Sequence, residues 1–442
     1  MGRLWAAFAR LAALAVLAAG QVANAAEPTV GALPNGLRYC LVSRPGSALT
    51  AIDIWVRAGS AYEGPDEAGA AHLLEHMIFK GTPSRGPGMV DLALENMGGV
   101  LSAGTLRGFA HFHTVVEGRS VREAVAVMAD ALQHPTLDPR EMERERRVVL
   151  AELARRAGDG GVAASDAVWA GLFAGSPPAS PPSGAVAGIR SLTPEALRRF
   201  HTRLYRPDAV CVALVGGTTP PEATAALEAA LGDWARPSEP APAAPSLPRR
   251  DGLLPEAPTA PAVVTVPSGP EGRVWFAAGF AAGDGASDLC DRMLGLLVAD
   301  PAVGRMAQAA GGVVAYGVSV ETTALQGLSV TLISGADDGP MAASPLVALR
   351  AALQGIVGRP PDAAEVAAVR ARLLGLRLFE METCAGAARA AGQEMALGRP
   401  VTDLSLRHAS GEVTGAQIAA RAAEWLGKAA HAEALAHAEA AP

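Results

Sequence analysis

The 442-residue chain is half hydrophobic, enough for two ordinary domains and too much for one core. Its 37 Lys and Arg against 44 Asp and Glu exclude the strongly basic surface that a nucleic-acid partner requires. Past the N-terminus no stretch reaches the run of about 20 apolar residues that spans a bilayer, so no stable membrane insertion is expected.

Residues 1–25 read as a secretory signal. Arg3 and Arg10 supply positive charge, Leu11 to Ala19 form an apolar run, and Ala23-Asn24-Ala25 offers a small-x-small cleavage site. An uncleaved anchor is the other reading, though the run is short for one. Removing the segment takes two of the 37 basic residues and no acid, leaving 35 against 44, a net charge of −9. The mature chain is expected to be periplasmic or secreted.

Gly36 to Val42 and Leu49 to Ala58 read as strands, the second alternating through Ile52, Ile54 and Val56. A polar loop, Gly59 to Ala68, then delivers the chain to His72-Leu73-Leu74-Glu75-His76. Residues four apart share one helix face, so His72 and His76 can present two imidazoles to one metal ion. Glu75 lies at the rim of the same site. Leu73, Leu74, Met77 and Ile78 predict a largely buried helix, and Gly81-Thr82-Pro83 ends it. Polar groups on such a helix need a partner, which a cation supplies; hydrogen bonds to backbone are the alternative.

A helix over Met89 to Met97 stops at Gly98-Gly99, and strands follow near Val100 to Thr105 and Ala110 to Glu117. Arg119 to His134 is amphipathic, through Val121, Ala124, Val125, Met128 and Leu132. His134, before Pro135, suits a helix end, where a cation favours the dipole. Asp138-Pro139 starts a helix running through Leu153, in which Glu145, Val148, Val149 and Glu152 share a face. Two acids on an otherwise apolar stripe are unusual for a simple core helix. Further helices are predicted from Thr193-Pro194 to Tyr205 and from Thr219 to Trp234, around a continuous apolar strand from Val210 to Gly216.

Residues 236–272, rich in Pro, Ala and Ser, read as a linker between an N-terminal domain (26–235) and a C-terminal one (273–442). The second half repeats the alternation: strand Val274 to Phe280, helix Ser287 to Val298, and strands near Val313 to Thr322 and Leu328 to Ser334. Helices follow at Met341 to Ile356, Asp362 to Cys384 and Ala416 to Glu433. The repeat suggests duplication. The helix corresponding to the His-bearing one contains no His, so only the first half can hold that metal.

Cys40, Cys211, Cys290 and Cys384 form no close pair of the zinc-binding kind. Disulfides, with Cys40 and Cys211 as possible sheet neighbours, and buried free thiols both remain open. His111 and His113 alternate on one strand face and together could hold a metal, but no nearby acid or Cys completes a set; ordinary strand positions or a place lining the cleft are the other readings.

His-x-x-Glu-His, followed at Glu145-Arg146-Arg147-Val148-Val149-Leu150-Ala151-Glu152 by a Glu- and Arg-rich helix, resembles the pitrilysin family of zinc metallopeptidases, the inverzincins that include insulysin and mitochondrial processing peptidase. Asn35-Gly36-Leu37, Gly69, Phe79-Lys80-Gly81-Thr82, Gly98-Gly99, Pro135, Phe200-His201 and Tyr205-Arg206-Pro207 extend the resemblance over the mature chain, most closely over residues 30–215. It implies an α+β fold of two similar α/β domains, each a mostly antiparallel sheet flanked by helices, forming half of a clamshell. It implies Zn²⁺ held by His72, His76 and Glu152, Glu75 as the base in peptide hydrolysis, and Glu145 supporting a ligand. An exposed partner for Arg144 or Arg146 is the plainer reading of Glu145.

The resemblance also places Ser102 and Ala103 in the strand whose edge holds the peptide substrate, where relatives usually carry Asn-Ala. Relatives that bind substrate with the second half use an Arg seven residues before a Tyr; here Tyr316 is present but position 309 is Ala. That departure suggests the metal-bearing member of a pair, a heterodimer with a non-catalytic homologous subunit, with a homodimer as the competing form. A non-catalytic assembly subunit of the same fold is the alternative function.

Overall fold

The structure, a computed structural model, describes residues 27–239, 241–242, 261–267, 273–283, 288–306, 318–325, 328–337, 344–401, 404, 406, 410–427 and 430–439. The expected signal, Ala309 and Tyr316 lie outside them. Two sheets organise the chain. The first contains β1 (Thr29–Ala32), β2 (Arg38–Ser43), β3 (Leu49–Val56), β4 (Ser102–Thr105), β5 (Ala110–Glu117) and β6 (Val210–Gly216), in the order β1-β2-β6-β3-β5-β4. Only β2 and β6 run parallel; the other pairs are antiparallel.

Alternation along β3 feeds two cores. Ile52, Ile54 and Val56 point into one, while Ala51 and Trp55 point into the other. Helices α1 (Ala70–Ile78), α2 (Met89–Asn96), α3 (Val121–Gln133), α4 (Pro139–Arg156), α5 (Gly160–Leu172), α6 (Val186–Ser191), α7 (Pro194–Leu204) and α8 (Pro220–Leu231) complete this half. Their starts follow local chemistry. Asp138 accepts from the Arg140 and Glu141 amides ahead of Pro139, and Thr193 accepts from Ala196 N ahead of Pro194.

The second sheet contains β7 (Ala262–Val266), β8 (Val274–Gly283), β9 (Ser319–Leu325), β10 (Leu328–Asp337) and β11 (Ala430–Ala438), in the order β7-β11-β8-β10-β9. β7 and β11 run parallel and the rest antiparallel, repeating the pattern of the first sheet. Helices α9 (Asp288–Ala299), α10 (Ser344–Gly358), α11 (Ala363–Glu380), α12 (Cys384–Ala396) and α13 (Gly415–Gly427) accompany it. Phe276, Met293, Leu297, Leu349, Leu353 and Trp425 form their shared core.

Several expectations are corrected. Residues 262–266, inside the stretch read as linker, are an edge strand paired with β11. The helix expected to run to Glu433 ends at Gly427, and Ala430–Ala438 is a strand between β7 and β8. Alanine favours helix in isolation, but burial in a sheet overrides that weak preference. The helix expected from Asp362 to Cys384 breaks after Glu380, where Thr383 accepts from Gly386 N and starts α12. Cys40 and Cys211 lie on adjacent strands without sharing a register, and all four cysteines are free thiols.

Each sheet is covered on one face by a helix from the other half. Ala164, Val168 and Leu172 of α5 pack on Ala277, Ala281, Ala432 and Ala434. Reciprocally, Ala387, Ala388, Ala390 and Ala391 of α12 pack on Cys40, Ala51, Trp55, Cys211 and Ala213. Small residues on both sides let helix and sheet approach closely: a Cβ on Gly392 would meet the Trp55 indole at 2.5 Å. Gly392→Val should therefore cost about 1–3 kcal/mol by overpacking. Because the helices cross between halves, calorimetry of wild type should give one unfolding transition; two well-separated transitions would contradict the interlocked arrangement.

Candidate metal centre

Helix α1 is short because glycines frame it. Gly69 stands at its start with φ of 85°, a left-handed conformation closed to most residues, and Gly81 with φ of 119° lets the chain turn away. Its apolar side buries Leu73, Leu74, Met77 and Ile78, each stabilising by about 1.5–3 kcal/mol. The opposite stripe carries His72, Glu75 and His76. No side chain of the helix's own start caps it. Instead Glu63 reaches back and accepts from Gly69 N at 2.9 Å and Ala71 N at 3.0 Å.

Glu152 on α4 faces this stripe. Its Oε2 lies 3.7 Å from His72 Nε2 and 3.6 Å from His76 Nε2, and the two imidazoles stand nearly perpendicular, 4.9 Å between centroids. Tetrahedral zinc with bonds of about 2.0–2.1 Å separates its donors by roughly 3.3–3.5 Å, so the set fits such an ion with small closure. Two imidazoles and one carboxylate leave one position open, the composition of a catalytic rather than a structural zinc site. Burial holds the His72 imidazole below its ordinary value, as does His76, against the opposing pull of Glu75 and Glu152. A neutral imidazole is the form that ligates metal.

Glu145 stands two turns before Glu152 and outside the donor set. Its Oε2 accepts from His76 Nδ1 at 3.1 Å, and its Oε1 pairs with Lys80 Nζ at 3.0 Å. The plainer reading of this residue is excluded, since Arg144 pairs with Glu141 and Arg146 with Glu143. A hydrogen bond to Nδ1 fixes the His76 tautomer and leaves Nε2 for metal.

Glu75 is also off the donor set. Thr105 Oγ1, at the end of β4, donates to its Oε2 at 2.5 Å. Thr105 escaped the sequence reading, although the period of two that puts Ala103 on the helix side puts Thr105 there as well. Ser102 takes the opposite face, in register with His113. Among the described residues β4 pairs only with β5, so its other edge is free. Directly beyond it, Leu106 and Arg107 line a cavity of about 530 Å³ between the halves, with Asp166, Trp169, Trp275 and Glu321. Arg107 lies 4.0 Å above the Trp169 ring and 3.2 Å from Asp166; burial pulls its guanidinium down to about 10.

Comparisons agree with this architecture. The family model "Insulinase (Peptidase family M16)" matches residues 38–158, and "Peptidase M16 inactive domain" matches 191–373. The chain belongs to the M16, or pitrilysin, family of peptidases. An uncharacterized zinc protease of Mycobacterium tuberculosis is 35% identical over 194 residues, 44% of this chain and 44% of that protein. The beta subunit of mitochondrial-processing peptidase from Bos taurus is 33% identical over 202 residues, 46% of this chain and 41% of the relative. The alignments thus take in under half the length of these relatives. Two solved structures share the fold: an M16 inactive-domain peptidase from Pseudomonas fluorescens, with TM-score 0.82, 18% identity and coverage of 94% and 99%, and a protease from Helicobacter pylori, with TM-score 0.80, 17% identity and coverage of 93% and 99%.

Two measurements check the supports of the site. Glu145→Gln, which weakens the acceptor behind His76, should lower zinc affinity by about 10–100-fold in a competition titration, with the metal-free melt unchanged. Burial pushes the Glu63 carboxyl up to about 7, with the Gly69 and Ala71 amides opposing. A native pKa above the ordinary value means that the stability tied to Glu63 is complete below about pH 4.5 and is lost as pH rises through about 7. Between about pH 5 and 8 the wild-type melting temperature should therefore fall relative to that of Glu63→Gln; parallel curves would contradict this.

Proposed function

We propose that this chain is a zinc-dependent endopeptidase acting on peptides or unfolded segments. The observation that carries the reading is the division of labour around α1: three donors gather on one point while Glu75 is held off it by Thr105. When bound there, zinc supplies Lewis acidity, polarising a carbonyl and making water more acidic. Glu75 is the base. With Oε2 engaged by Thr105, Oε1 is the oxygen left to take a proton from water and pass it to the leaving amine. Glu145 keeps His76 oriented and is a positioning residue.

The free edge of β4 offers amides and carbonyls to an extended peptide, which would join the sheet as an added strand. Ser102 and Ala103 would then contact it from opposite faces of the edge. The cavity beyond Arg107 extends the same track. Residues 1–25 support export to the periplasm or beyond. The beta-subunit name of one relative, together with Ala at position 309, supports work as one chain of a two-chain assembly, with a non-catalytic homologous subunit or a second copy.

Glu75→Gln should reduce cleavage of a quenched peptide library by about 10²–10⁴-fold while the metal content stays unchanged. The chain is to be assayed alone and with any co-purifying homologue. Metal bound but no cleavage by wild type in either condition would favour the non-catalytic assembly subunit.

A further inference from the structure

The face of the first sheet that α12 partly covers carries a second group of metal-type donors, away from α1. Asp53 on β3 lies directly opposite His113 on β5, and His111 sits one pleat along the same face. This acid, supplied by strand register from a distant part of the chain, is what the His-x-His pattern lacked in sequence. Asp53 Oδ1 is 3.6 Å from His111 Nδ1, and one donor atom from each of the three residues lies within 4.8 Å of the others. Asp53 Oδ1, His111 Nδ1 and His113 Nδ1 are all buried without a hydrogen-bond partner among the described residues. Three orphaned buried polar atoms on one sheet face are costly unless something joins them.

Neighbouring residues hold the arrangement. The His111 ring stacks on Trp55, 4.9 Å between centroids, and lies parallel to the His113 ring. Its Nε2 side rests over Gly104 of β4, where a Cβ would come within 2.7 Å, so the glycine admits the ring and leaves Nδ1 toward Asp53. Asp53 and His111 are 2% and 8% exposed, whereas His113 is half-buried and gives the group its opening to solvent. Arg389 of α12 acts on His113 as a like charge, but it is exposed and its field is screened by water.

We propose that Asp53, His111 and His113 form a second metal site in this chain, taking zinc or a closely similar first-row divalent cation. Two imidazoles and one carboxylate suit such ions rather than calcium or magnesium, which prefer all-oxygen shells. Ser102 is in register with His113 on the same face. The ion joins β3 to β5 immediately behind β4, and its role is to brace that edge.

The test is a Zn²⁺ titration of the full-length, chelator-stripped protein, with bound metal counted by mass spectrometry. Wild type should bind about two equivalents, His113→Gln about one, His76→Gln/Glu152→Gln about one, and the combined variant none. Zinc added to stripped His76→Gln/Glu152→Gln should raise its melting temperature, and Asp53→Asn in that background should abolish the rise. Saturation of wild type at one equivalent that survives both His113→Gln and Asp53→Asn, or binding of none, would overturn the second site. One equivalent lost with His113→Gln but kept in His76→Gln/Glu152→Gln would uphold it and instead overturn the site on α1.

Discussion

Placing two imidazoles and a carboxylate on the half-buried stripe of a helix whose other side is dry is the constraint from which the geometry of the first half follows. Leu73, Leu74, Met77 and Ile78 anchor α1 in the core, so His72 and His76 cannot turn away from Glu152 without unpacking it. The same rigidity makes the surrounding groups useful. Glu63 secures the first amides of the helix, Glu145 secures His76, and Thr105 ties Glu75 to the sheet edge. Glu75 and two of the three metal-type donors thus share one helix, while Glu152 comes from α4 and Glu75 is held toward Thr105 rather than toward that set.

Helix exchange between the halves bears on the same geometry. The cavity beside β4 draws its walls from both halves, with Arg107, Asp166 and Trp169 on one side and Trp275 and Glu321 on the other. Were the two sheets free to drift, that cavity would not persist. Covering each sheet with a helix from the other half, through small residues, fixes their relation through close packing rather than through charge.

Much of the site was legible because its signals are local. Four-residue spacing on a helix, two acids on one face of another, and Asp-Pro at a helix start survive without tertiary information and single out His72, His76, Glu145 and Glu152, while the roles expected of Glu145 and Glu152 come from the family resemblance. What escaped depends on neighbours distant in sequence. β11 is composed of helix-favouring residues and becomes a strand because β7 and β8 flank it. The helix α5 begins at two glycines, a poor helix signal, and is stabilised by its docking on β8 and β11. β7 is a short apolar run inside a Pro- and Ala-rich stretch, and Asp53 reaches His111 and His113 only through strand register.

The central claim, that His72, His76 and Glu152 converge on one metal ion with Glu75 outside its shell, is tested most directly by anomalous diffraction at the zinc edge from crystals of the zinc-loaded protein. A peak is expected about 2.0–2.2 Å from His72 Nε2, His76 Nε2 and a Glu152 carboxylate oxygen, with Glu75 beyond bonding distance. No peak at that position, or a peak with Glu75 bonded in place of Glu152, would contradict it.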